Sequence, residues 1–254
     1  MLVEAVTNRT EKKKSWRIKH MKQERKSEIT VMGKKATEKK VKGMDYIWLA
    51  LTAFGGLGLE ALYAYLLEPM LYGCEMRDWN TWQSILHWVI TCITCGLVAW
   101  YTVKSARKDC DFDLFAKSEP IKPWQWVATL GCAAVCLTST YLDWGGSKLL
   151  IELQRNGALK FTFQYIYYLF EVVLFILIIV YVQKAFEVWF KKVNIPYGGI
   201  VVALTWGMGH WFTKGSLAAG LYTAFGGFCF GVVYLLLNRN IKWTYVALCI
   251  MFIL

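Results

Sequence analysis

The sequence predicts an all-α fold, a polytopic bundle of about seven transmembrane helices, on the basis of three observations. Of its 254 residues, 56% are hydrophobic and 16% aromatic, which is more apolar surface than a soluble domain of this size can bury. The apolar residues form unbroken runs and do not alternate with polar residues, which excludes a β-barrel. Tryptophan and tyrosine gather at the ends of these runs, where their rings suit the membrane interface.

Residues 1–43 are predicted to form a basic cytoplasmic tail without stable structure. The tail holds 14 lysine or arginine residues against 5 glutamates, and it has too few large apolar side chains to offset the chain entropy lost on folding. Its cations favour anionic lipid headgroups as partners, whereas nucleic acid is not expected because no stacking or base-reading pattern accompanies the charge. We expect residues 44–254 to form the transmembrane domain.

Seven apolar runs follow the tail, and most approach the roughly 20 residues that a helix needs to cross the hydrocarbon core. They cover residues 46–67, 82–103, 124–142, 161–183, 198–212, 217–237 and 243–254. The fifth and seventh runs are short, and the sequence leaves open whether the seventh span is complete.

Charge between the runs predicts the orientation of the chain. With a cytoplasmic amino terminus, 24 lysine and arginine residues fall on the inner side of the membrane and 5 on the outer side. Positively charged connections stay on the cytoplasmic side. We therefore expect the amino terminus in the cytoplasm.

Three ionisable residues lie well inside the apolar runs: Glu60, Glu171 and His210. Such residues are costly in a bilayer and usually face a cavity or a partner, so they are the first candidates for function. At 1.5 Å per residue, Glu171 and His210 lie at similar depth, within reach of each other. The pair fits either a carboxylate and an imidazole that activate a water, or a structural hydrogen bond between helices. His87, nearer the end of its run, is a weaker candidate.

Glycines flank these polar residues and predict close helix packing. Gly207 and Gly209 precede His210, and Gly226, Gly227 and Gly231 lie in the sixth run. Small residues let helix backbones approach closely. We expect this packing to hold His210 in a seam shielded from lipid.

Four segments carry a resemblance to a known family: FEVVLF at 170–175, WGMGH at 206–210, GFCFGVVY at 227–234 and NIKW at 240–243. Residues 161–254 thereby resemble the second half of the CPBP family, the intramembrane glutamic proteases that include CAAX-prenyl endopeptidases and bacteriocin-immunity or processing proteins. The resemblance implies that Glu171 is the water-activating carboxylate and His210 its partner. It also implies a bacterial plasma membrane as the location, and neither cofactor nor metal.

The sequence departs from the family pattern at several positions. Phe170 replaces one glutamate of the Glu-Glu-x-x-x-Arg motif, no arginine follows at Phe175 or Ile176, and no histidine or asparagine follows Trp243. The group that stabilises the oxyanion, often the largest catalytic contribution, is therefore missing. The resemblance implies a catalytically degenerate member.

Three functional hypotheses follow. The first is a CPBP-like protein that binds a peptide, a lipidated chain or a partner membrane protein in the bilayer. The second is an active intramembrane endopeptidase, metal-independent or metal-assisted, that uses Glu171 and His210, with Glu60 as a third polar group. The third is a small ion-coupled transporter component in which the same three residues form a path for protons or cations.

Overall fold

The computed structural model describes residues 41–254 together with residues 20, 21 and 23, and the described part is helical, which confirms the predicted fold class. The prediction for the basic tail, residues 1–43, falls almost entirely outside the described residues. Seven helices and no strand occur between residues 41 and 254. They are α1 (Gly43–Tyr72), α2 (Thr81–Cys110), α3 (Pro123–Trp144), α4 (Lys148–Phe190), α5 (residues 197–214), α6 (Leu217–Leu236) and α7 (Ile241–Ile253).

Each predicted run coincides with one of these helices. Four of them, α1, α2, α4 and α6, are long and apolar enough to cross a membrane, as expected of a membrane protein. Helix α7 has only 13 residues. Three helices extend well beyond the predicted runs, because α1 continues to Tyr72, α2 continues to Cys110, and α4 runs from Lys148 to Phe190.

Helix α4 forms the core of the bundle. Its most apolar stretch of 18 residues has a mean hydropathy of 2.4, the highest among the four membrane-length helices, and every residue from 174 to 183 is buried. A helix that is apolar on all sides indicates burial on all sides. Helices α1, α2, α5 and α7 pack around it, while α3 packs mainly against α6.

Helix α4 contains a sharp kink at Gly157, whose backbone has φ 70° and ψ 164°. Only glycine adopts this conformation without strain, because a Cβ atom would collide with the backbone. The kink separates residues 148–156 from the long segment 158–190. It returns Lys148 and Glu152 to the space between the helices.

Two single π-helical turns interrupt the helices beside polar residues. One covers Tyr63–Leu67 in α1, between Glu60 and Glu68, and the other covers Ala203–Gly207 in α5, just before His210. A π turn inserts an extra residue and rotates the side chains that follow it, and such turns are frequent at functional sites. In both helices, a local departure from α-helical geometry therefore changes the direction of the polar side chain that follows it.

We predict that the connection around residue 77 is outside the cell and that around residue 117 is inside. Cys110 is buried and therefore a poor reporter, whereas Arg77 and Lys117 are exposed. With Cys74 replaced by Ser, Arg77→Cys is expected to react with a membrane-impermeant maleimide in intact cells. Lys117→Cys is expected to react only after permeabilisation, and the opposite pattern would reverse the orientation.

Candidate functional site

A cavity of about 760 Å³ lies among the helices, toward the end of the bundle where α3 and α5 finish and α4 and α6 begin. All seven helices contribute to its wall. Its acidic and basic side chains are Glu60, Asp143, Lys148, Glu152, Arg155, Glu171, His210 and Lys214. The volume lies within the roughly 300–1,000 Å³ typical of ligand sites, and the lining carries charges of both signs.

Glu171, the predicted base, lies on α4 in the wall of this cavity and is only 6% exposed. One turn earlier, the Tyr167 hydroxyl donates a hydrogen bond of 2.7 Å to Oε2 of Glu60 on α1. The charged groups that act on Glu171 are Glu60 and Lys148. Two of the three predicted polar residues are therefore brought together, with a tyrosine and a lysine that the sequence analysis did not single out.

His210 lies on α5 and lines the same cavity. Its Nδ1 atom is 2.9 Å from the carbonyl oxygen of Trp206, one turn earlier in its own helix, and the two rings pack edge to face with centroids 4.7 Å apart. In the described part of the chain, neither a hydrogen bond nor an ion pair joins His210 to Glu171. The two residues share a cavity but do not form a direct pair.

The short segment before the kink adds a second polar cluster to the cavity. Glu152 accepts hydrogen bonds from the hydroxyls of Tyr165 at 3.0 Å and Tyr168 at 2.8 Å. Lys148 donates to the carbonyl oxygen of Phe252 at 2.8 Å and lies 4.5 Å from the centre of the Tyr168 ring. Glu152 and Lys148 are both buried, and the hydrogen bonds of this cluster satisfy their polar groups.

A third cluster lies where α3 and α5 end. Lys214 forms an ion pair of 3.3 Å with Asp143. The Trp144 ring has the ammonium of Lys214 at 5.6 Å and the guanidinium of Arg155 at 5.8 Å from its centre. Together the three clusters place carboxylates and cations around one space, which suits a ligand with polar groups of both kinds.

A buried pair that the sequence analysis underrated extends this network through α1 and α2. Nδ1 of His87 is 2.6 Å from Oε2 of Glu68, and both side chains are at most 6% exposed. The other ring nitrogen, Nε2, is 4.0 Å from Oε1 of Glu60. Tyr167, Glu60, His87 and Glu68 therefore form a polar series that starts at the cavity. The step from Glu60 to His87 is too long for a hydrogen bond, and Nε2 of His87 has no hydrogen-bond partner among the described residues.

The sequence did contain a signal for Glu68. This carboxylate stands in the apolar stretch LLEPML at 66–71, but the predicted run ended at residue 67 and assigned Glu68 to a connection. Because α1 continues to Tyr72, Glu68 lies inside a helix of membrane length, directly after the π turn that separates it from Glu60. The same reasoning that selected Glu60 would have selected it.

Close packing of α5 on α6 positions His210. A Cβ atom on Gly207 would lie 2.8 Å from the backbone nitrogen of Ala224, and one on Gly227 would lie 3.1 Å from that of Ala203. Both distances are shorter than the usual contact of such atoms, so these glycines allow the helices to approach. Gly209 differs, because its added Cβ would have no neighbour within 4 Å.

Within residues 41–254, no group of three histidine, cysteine, aspartate or glutamate side chains has an arrangement suited to a metal ion. No protein-family model, curated protein or solved structure matches the chain.

Proposed function

We propose that the chain is a CPBP-like integral membrane protein that binds a peptide or lipidated chain within its helical bundle without cleaving it. The observation that carries the proposal is the cavity of about 760 Å³, lined by charges of both signs in a domain with four membrane-length helices. A concave site with a few convergent polar groups is the usual form of a ligand site. The proposal includes a bacterial plasma membrane and a cytoplasmic amino terminus.

A peptide suits this cavity because of its backbone. In a bilayer, every peptide N–H and C=O group must find a partner, since hydrocarbon supplies none. Glu60 and Glu171 offer acceptors, whereas Lys148 and Lys214 offer donors. A bound chain can thus satisfy its polar groups in the cavity while a lipid or apolar side chain stays among the surrounding helices.

The second candidate function is an intramembrane endopeptidase, and the observation in its favour is that Glu171 and His210 line the same cavity. In that reaction, Glu171 would take a proton from a water held between the two residues as the water attacks the peptide carbonyl. Binding is preferred because Nδ1 of His210 already lies against the Trp206 carbonyl and the resemblance lacks an oxyanion group.

The third hypothesis, an ion-coupled transporter component, has one supporting observation, the polar series from Tyr167 through Glu60 and His87 to Glu68. Buried ionisable residues in series are typical of proton paths. The series ends at Glu68, whose Oε1 has no hydrogen-bond partner among the described residues.

Gly209→Leu tests binding, because its side chain would project into the open space of the cavity. The probe is a fluorescein-labelled farnesylated peptide, added to the full chain in nanodiscs and followed by fluorescence anisotropy. We expect saturable binding by the parent protein and at least about tenfold weaker binding by Gly209→Leu, the effect of a clash of roughly 1–3 kcal/mol. Gly131→Leu, at a glycine that also has open space but lies outside the cavity, is expected to bind like the parent.

Glu171→Gln separates binding from hydrolysis in the same samples. The amide keeps the shape of the carboxylate, so we expect binding within about threefold of the parent, and mass spectrometry of the probe is expected to detect no cleavage by either protein. Cleavage by the parent that Glu171→Gln abolishes would establish the endopeptidase instead. Absence of saturable binding, or equal binding by Gly209→Leu and Gly131→Leu, would contradict the proposed site.

A further inference from the structure

A second cavity of about 870 Å³ lies at the opposite end of the bundle, between the end of α2, the middle of α4 and the start of α7. Its wall is apolar and includes Ala99 and Val103 from α2, Ile176 and Leu177 from α4 and Ile241 from α7. We call it the inner groove. It lies on the side that the distribution of positive charge assigns to the cytoplasm.

Four cations border the inner groove: Lys104, Arg107, Lys108 and Lys242. Two of them already have partners. Arg107 pairs with Asp113 at 2.8 Å, and the ammonium of Lys104 lies 4.6 Å from the centre of the Trp100 ring. The hydrogen bond from Arg107 holds the pKa of Asp113 below its usual range, so this loop carboxylate stays charged.

Lys108 and Lys242 differ from Arg107 and Lys104 in their surroundings. Both are exposed, and within residues 41–254 neither forms an ion pair. Lys242 also lies in the first turn of α7, where the backbone N–H groups of the helix add to the attraction for an anion. The exposed carboxylates Asp109 and Asp111 do not line the inner groove.

We propose that the inner groove binds one anionic phospholipid, with its phosphate held by Lys108 and Lys242 and an acyl chain along the apolar wall. Charge complementarity identifies the headgroup, because lysine is a common phosphate ligand and the cytoplasmic leaflet is rich in anionic lipids. The wall identifies the rest of the ligand, because a free phosphate would leave the apolar surface of the groove unfilled. Basic pockets between transmembrane helices on the cytoplasmic side suit such headgroups.

Native mass spectrometry of the full chain in a neutral detergent tests this site. The probes are dioleoylphosphatidylglycerol, dioleoylphosphatidylcholine with the same acyl chains but no net charge, and inorganic phosphate. We expect the anionic lipid to be retained in preference to the neutral one. In the double variant Lys108→Gln with Lys242→Gln, its affinity is expected to fall roughly 25-fold, since each cation near a lipid surface contributes roughly fivefold.

The matched control is Lys117→Gln with Lys122→Gln. It removes two exposed lysines on the same side of the bundle that do not line the inner groove. Both double variants keep the basic tail, so a contribution of the tail is equal in the two. We expect the control to bind like the parent.

A third variant tests the acyl chain. Ala99→Phe fills part of the apolar wall without changing any charge, and we expect it to weaken binding of the anionic lipid at least about fivefold, the effect of lost apolar burial. Equal binding by the two lysine double variants, or equal retention of the two lipids, would overturn the proposal. Displacement of the lipid by millimolar inorganic phosphate, or full affinity in Ala99→Phe, would indicate a site for the phosphate group alone and would also overturn it.

Discussion

His87→Ala is expected to destabilise the bundle by about 3–5 kcal/mol, the cost of leaving one partner of a buried pair alone. The change removes the ring that lies 2.6 Å from Glu68, and this carboxylate is only 4% exposed. It also leaves a gap beside Trp79, whose ring packs against His87 with centroids 5.4 Å apart. Denaturant-induced unfolding in detergent micelles measures the free energy difference.

Two control variants separate the buried pair from histidine in general. His210→Ala is expected to cost only about 1 kcal/mol, because the one hydrogen bond that its ring forms among the described residues goes to a carbonyl of its own helix. Replacing His87 and Glu68 together by Leu is expected to recover most of the loss, since apolar side chains in place of both partners leave neither polar group buried without the other. A double variant no more stable than His87→Ala would show that the pair does not account for the effect.

Gly199→Ala is expected to lower the stability by about 1–3 kcal/mol or more, because the added methyl group has no room. Its Cβ would lie 2.6 Å from the carbonyl oxygen of Phe228 and 2.8 Å from the Cα atom of Gly231, and both are backbone atoms of α6. A backbone cannot move aside as a flexible side chain can, so α5 and α6 would have to separate. Thermal unfolding in detergent, followed by the fraction of monodisperse protein, measures the loss.

Gly209→Ala is the matched control because it adds the same methyl group to the same helix where nothing lies within 4 Å. We expect it to unfold at the temperature of the parent or slightly higher, since alanine favours the helix. Equal melting temperatures for Gly199→Ala and Gly209→Ala would contradict the close approach of α5 and α6.

Much of the fold could be predicted from the sequence because long hydrophobic stretches indicate membrane helices directly. All seven predicted runs coincide with helices, since long stretches such as residues 161–183 have no other stable form in lipid. The first and last residues of the helices were harder to predict from the sequence. The extension of α4 back to Lys148 depends on the kink at Gly157, and the side chains of residues 148–156 are too polar to be read as part of a span.

The site was predicted in part. Glu60, Glu171 and His210 were identified from charge inside apolar runs, and all three line one cavity. The distances between these side chains depend on how each helix is rotated about its axis. The two π turns alter this rotation, and no residue pattern in the sequence predicts it. The hydrogen bond between Tyr167 and Glu60 could not be predicted for the same reason, because 107 positions separate the two residues in the chain.

Because α4 is enclosed in part by helices that follow it in the chain, its burial is complete only after they are synthesised. This helix is apolar enough to enter the bilayer by itself, and it emerges from the ribosome before α5 and α7. Until those helices arrive, the side of α4 on which Phe175 later packs against Trp206 and Phe252 has no protein to cover it. Completion of the bundle therefore waits for α7, and a nascent chain stalled before residue 241 carries an inserted core helix with one side uncovered.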